Sequence, residues 1–149
     1  MAYRFALETV LKHRKRLEEI AQRDYAEAQH AVELTLQRLE EMYRRQDEVR
    51  EEIARLEAIG GKESLDFIRT MQAFITGHKI RIEIVRLEAR TLLQKAEQMQ
   101  ELLIAAAQDK KVLAKLKEKR AKEFSEHMGK LEAKAMDEMT MMRQGWRKK

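Results

Sequence analysis

Proline and cysteine are both absent from this chain, glycine occurs only five times, and aromatic residues make up 5%. Each shortage excludes something. Without proline, no helix is forced to break by a missing N–H or a fixed φ. Without cysteine there is no disulfide framework, thiolate nucleophile or zinc–cysteine site. So few bulky side chains cannot fill a deep core, although they can fill a narrow seam between two helices. No apolar run approaches the roughly 18 residues of a membrane span. The opening "MAYRFALETVLKHRKRLEE" has charges scattered through it and no unbroken apolar stretch, so no secretory signal is expected and a soluble cytoplasmic protein is.

What is present is charge. Asp, Glu, Lys and Arg form 38% of the 149 residues, and with Ala and Leu they give the profile of long helices or coiled coil. The net charge of +5 is unevenly placed. Residues 1–23 carry six basic against three acidic groups, residues 24–60 five against ten, residues 61–108 seven against six, and residues 109–149 thirteen against seven. Both ends are basic and the middle is not.

From Ala21 an apolar residue recurs every third or fourth position through Tyr25, Ala28, Val32, Leu39, Met42, Val49, Ile53 and Leu56, interrupted by Thr35 and Gln46. A second such line runs from Ile68 through Met71, Ile75, Ile82, Val85, Ala89, Leu92, Ala96 and Met99 to Leu103, with His78 its one polar member. These are the a and d positions of two coiled-coil seams. Between them lies Gly60-Gly61, and glycine can take the left-handed conformation that ends a helix. Folding there so that Leu56 meets Ile68 makes facing residue numbers total 124 and brings Gln46 opposite His78. Ser64 is placed to cap the second helix, and Asp66 to meet its positive end.

The expected fold is therefore all-α: two long helices in an antiparallel coiled-coil hairpin, the second longer and overhanging the first. It forms one domain over residues 1–149, with helix 1 at about 4–59, a turn at about 60–64 and helix 2 at about 65–143. A single long helix pairing with a second chain is the rival, because glycine costs a helix interior only about 1 kcal/mol. In the hairpin register Arg4 lies beside Arg120, which leaves residues from about 121 onward without a partner.

Searching the same residues for chemistry finds none. The histidines at 13, 30, 78 and 127 form no HExxH and no ligand spacing. "GGKES" has Leu56 where a phosphate loop needs its first glycine, and Glu63 where it needs Ser or Thr. The carboxylates stand at helical spacing on polar faces. No enzyme activity, metal or cofactor is expected. "KHRKR", Lys12 to Arg16, is interleaved with Leu7, Val10, Leu11 and Leu17 and followed by acids, unlike a DNA-reading basic region; no nucleic-acid partner is expected.

The opening "MAYRFALETVLKHRKRLEE", the reversal near residue 60, "FIRTMQAFI" just after it, and "LKEKRAKEFSEHMGKLEAKAMDEM" near the end together resemble the FliJ family of the flagellar type III export apparatus. The resemblance implies a non-enzymatic stalk that links the ring of the export ATPase FliI to the export gate protein FlhA and handles export chaperones. Such a stalk sits at the cytoplasmic base of the flagellum and touches the membrane only through partners. It also implies a gate-binding surface near the turn at Met42, Val49, Gln72, Phe74 and Ile75, although this chain departs from the family pattern at Arg45 and His78. Phe74 lies one place off the seam, which would leave a large ring partly exposed. For the ATPase ring, the basic residues Lys12, Arg14, Lys15 and Arg16 and the apolar Phe124, Met128, Leu131, Met139 and Met142 are the expected contacts. A structural coiled-coil tether or homodimeric scaffold without an export role remains the alternative, and a nucleic-acid or membrane-surface binder acting through the basic ends a third.

Overall fold

A computed structural model describes residues 2–147 as two helices, α1 (Glu8–Ile59) and α2 (Lys62–Arg147), with no strand among the described residues. The reversal is tighter than the sequence suggests. Gly60 and Gly61 have φ of 71° and 99°, and these two residues complete the turn. The Gly60 N–H donates to the Leu56 carbonyl at 3.1 Å, closing α1, and the Leu65 N–H donates to the Gly61 carbonyl at 3.2 Å, opening α2. Gly61 thus occupies the capping position expected of Ser64, which lies inside the first turn of α2. Glu63, not Asp66, supplies the negative charge in that turn, next to the positive end of the helix dipole.

Contacts divide the chain into two units, Ala21–Leu103 and Met1–Ile20 with Ile104–Lys149. In the first unit all twenty-two seam positions expected from the spacing are buried or half-buried. Ala28, Val32 and Ala96 form a cluster with Leu92 and Met99 packed against it. Its facing pairs, Ala28 with Ala96 and Val32 with Leu92, match the register in which numbers total 124. The Arg38–Glu88 ion pair, 3.6 Å across the flank, falls within two of that total. Thr35 is buried with its hydroxyl donating to the Ala31 carbonyl at 2.9 Å, so its own helix satisfies it.

In the second unit α1 starts at Glu8, four residues later than expected, because the chain before it is not helical. Phe5 is buried, with the Arg120 guanidinium 6.0 Å from its ring, and the Glu8 N–H donates back to the Phe5 carbonyl at 3.1 Å. A non-helical segment advances further per residue than the 1.5 Å of a helix. Residues 2–5 therefore cover more of α2 than a helical start would. The Tyr3 ring lies 5.4 Å from that of Phe124, and Ala121, Phe124 and Met128 are half-buried. The expectation that partners end at residue 121 is corrected accordingly: from Gly129 to Arg147 every residue is exposed.

Two outcomes check this description. Cysteines replacing Ala28 and Ala96 should form a disulfide within one chain under mild oxidation, whereas Ala28 with Ala89, one heptad away, should not; only intermolecular crosslinks would mean a paired long helix instead. Gly60→Ala meets no atom within 4 Å, so its whole effect is the cost of a left-handed alanine. Thermal melting should show a loss of about 1–2 kcal/mol.

Candidate interaction surfaces

In the unit containing the turn, the residues expected at a gate-binding surface do not share one environment. Val49 is buried, Met42 and Ile75 are half-buried seam residues, and Gln72 is exposed. Phe74 is half-buried, and its ring is packed against its neighbours. It stacks on His78 with centroids 5.0 Å apart and planes 20° from parallel, and the guanidiniums of Arg45 and Arg81 lie 5.9 and 5.5 Å from its centroid. Cations over a ring face are attracted by its quadrupole. Gly77 leaves the space Arg81 needs to turn back: a Cβ there would lie 3.3 Å from Arg81 Nη1.

His78 and Gln46 are both buried, but His78 does not look to the Gln46 side chain for its hydrogen bond. Its Nε2 donates to the backbone carbonyl of Met42, one turn earlier on α1, at 2.7 Å. That bond crosses the seam and ties one helix to the backbone of the other. A buried polar group left unpaired costs about 1–3 kcal/mol, so the bond favours the one register that supplies it.

A further apolar line, outside the seam, runs along the same helix. Ile80, Ile84 and Leu87 are 61%, 59% and 55% exposed. They continue a heptad spacing through Ala73 and Gly77, two residues out of step with the buried seam of Ile75, His78, Ile82, Val85 and Ala89. Two residues is about 200° around a helix, so the line faces away from α1. The signal was in the sequence as a second a/d register laid over the first.

The other unit holds the residues expected at an ATPase ring. Lys12, Lys15 and Arg16 are exposed, while Arg14 is tied to Asp109 at 2.8 Å. Lys110 pairs with Glu18 at 2.7 Å, and Lys117 with Glu8 at 2.9 Å. The inner oxygens of both glutamates are shut off from water, with an ammonium group as the partner each meets. Phe124 and Met128 are half-buried, Phe124 under Tyr3, whereas Leu131, Met139 and Met142 are open to solvent together with Met136, Met141 and Trp146.

No group of three or more His, Asp or Glu among the described residues is placed to hold a metal ion. The grooves beside the seam are open troughs, such as the one of about 320 Å³ between Tyr25, Val32, Leu93 and Ala96. What the molecule offers is helix surface. Comparison with known proteins gives one result of the same kind: the family model described as "Flagellar FliJ protein" matches residues 3–149. The chain belongs to the FliJ family. No curated protein and no solved structure matches it. Membership makes this a flagellar export-related protein, and no helix among its described residues is long and apolar enough to cross a membrane.

The Glu8–Lys117 pair gives this FliJ-family chain a pH signature. The hydrogen bond from Lys117 holds the Glu8 carboxyl below its ordinary value; burial opposes that, and the charges of Lys117, Lys12 and Lys15 reinforce it. A carboxylate with a lowered folded pKa adds stability that is fully present above its unfolded pKa and lost as pH falls through the folded one. Glu8→Gln should therefore lower the melting temperature at pH 7. The gap to the unaltered chain should shrink once pH drops below the ordinary carboxylate range, as read by melts from pH 7 to 3.

Proposed function

We propose that this protein is a non-enzymatic stalk of the flagellar export apparatus, joining the ring of the export ATPase FliI to the export gate FlhA and assisting the handling of export chaperones. The observation that carries the reading is that the helices, having satisfied each other along the seam, leave two separate apolar surfaces to solvent. One is Ile80, Ile84 and Leu87 in the unit with the turn; the other is the last stretch of α2, with Leu131, Met139 and Met142. Neither contributes to the hairpin, and apolar faces set among charges mark contact sites.

The gate contact in this reading centres on Ile80, Ile84 and Leu87, with Gln72 and the rim of Phe74 beside them; Val49 supports it from within. The ring contact uses the exposed Lys12, Lys15 and Arg16 for steering and the exposed methionines for contacts that adapt to more than one subunit. Arg14, held by Asp109, serves the fold first. The half-buried Phe124 and Met128 anchor the start of the exposed stretch.

A double dissociation tests the proposal. Among the described residues, truncation after Met128 removes exposed ones alone, so circular dichroism should show a folded hairpin, and the truncated chain should lose binding to the ATPase ring yet keep the gate. Ile80→Asp with Ile84→Asp should do the reverse. Loss of both contacts by either variant, or of neither by both, rejects the two-surface stalk.

A further inference from the structure

The exposed end of α2 is complementary to itself. At about 100° per residue, Met128, Leu131, Ala135, Met139, Met142 and Trp146 fall within roughly 40° of one line along the helix. All are helical, and all but the half-buried Met128 are exposed. Read in the opposite direction from a two-fold axis at Asp137, the same line meets itself layer by layer. Met128 faces Trp146, Leu131 faces Met142, and the small Ala135 faces Met139, each pair occurring twice. Asp137 itself lies on the far side of the helix, so the axis brings no carboxylates together.

The charges beside the line repeat the pattern. Glu132 and Arg143 lie on one flank, Lys134 and Glu138 on the other. In antiparallel helices each flank meets the same flank of its partner. The axis that stacks the apolar layers therefore sets Glu132 against Arg143 and Lys134 against Glu138, giving four ion pairs and no like-charge contact among these groups. Thr140 spends its hydroxyl on the Met136 carbonyl at 2.9 Å and presents no unmatched donor.

We propose that this stretch binds a second copy of the chain, forming a two-fold antiparallel pair over residues 128–146. Six layers make a short coiled coil, so the pair is weak and reversible, forming at roughly micromolar concentrations or above. It covers Leu131, Met139 and Met142, so a copy held in the pair cannot offer them to any other protein. The proposal concerns the chain alone and does not depend on what else those residues bind.

The test uses the purified full-length chain with no partner present. Sedimentation equilibrium over a range of about 1 to 100 µM should show the mass rising from 17.7 kDa toward twice that value. Glu132→Lys sets two cations against each other at two places, and Arg143→Glu sets two carboxylates. Each variant alone should stay monomeric over the same range, with circular dichroism unchanged, and an equal mixture of the two should regain the dimer mass. Because the chain has no cysteine, direction can be read separately: Ala135→Cys mixed with Met139→Cys should crosslink, and neither alone. A wild-type mass that stays monomeric overturns the proposal, as does dimerisation of the single charge variants or a 135–135 crosslink from Ala135→Cys alone.

Discussion

Everything else in this structure depends on a chain reversal made by two residues with positive φ. In a sequence without proline and with strong helix formers on both sides, helix propagation is favoured at every step until a residue refuses it. Gly60 and Gly61 are the two consecutive positions where a left-handed backbone costs no Cβ clash. Because the turn is complete in two residues, it leaves no slack. The seam of α1 must meet the seam of α2 in one register, and the carbonyl of Met42 must lie where His78 can reach it. A longer, looser turn would have allowed a heptad slip, with apolar residues still meeting apolar residues and only the histidine left unsatisfied.

The architecture was legible because a two-helix seam is a one-dimensional object. Spacing along the sequence translates directly into a face, and the structure withdraws from solvent, wholly or in part, all eleven positions on each arm marked by spacing alone. What was not legible lay where geometry stops being helical. Residues 4–7 read as one more helical turn, yet α1 begins only at Glu8, and Phe5 and Tyr3 are drawn against Arg120 and Phe124, a tertiary contact that no periodicity encodes. Ser64 read as a cap because its side chain suits one, but the backbone of Gly61 had already supplied the carbonyl. The candidate surfaces were harder still. Phe74 was placed by sequence one step off the seam, but neither its stacking on His78 nor the Arg81 guanidinium that turns back past Gly77 toward its ring can be read from spacing.

Polar groups divide between the two units in an instructive way. In the unit with the turn they sit inside the seam, as Thr35, Gln46 and His78, and two of them bond to backbone carbonyls. In the other unit the seam's edges carry Glu8, Arg14 and Glu18, matched to Lys117, Asp109 and Lys110. A hydrogen bond to a backbone carbonyl is short-ranged and insensitive to salt. Ion pairs at partly exposed edges are weakened by salt. Salt-sensitive pairs that join α1 to α2 therefore concentrate in the unit at the chain ends, with Arg38–Glu88 their counterpart in the unit with the turn.

The two exposed apolar faces differ in the same direction, and the difference bears on what each can bind. Ile80 and Ile84 are β-branched, with one strongly preferred rotamer in a helix, so the surface they make with Leu87 has a fixed shape before any partner arrives. Little side-chain entropy remains to be lost there, which favours one complementary partner. Met139 and Met142, on the apolar line of the other face, have three free torsions each and polarizable sulfurs. Their surface takes its shape from whatever it touches and loses more entropy in doing so. A rigid face suits a fixed attachment. A methionine face suits contacts that must be made, released and made again, whether with successive subunits of a ring or with a second copy of the same helix.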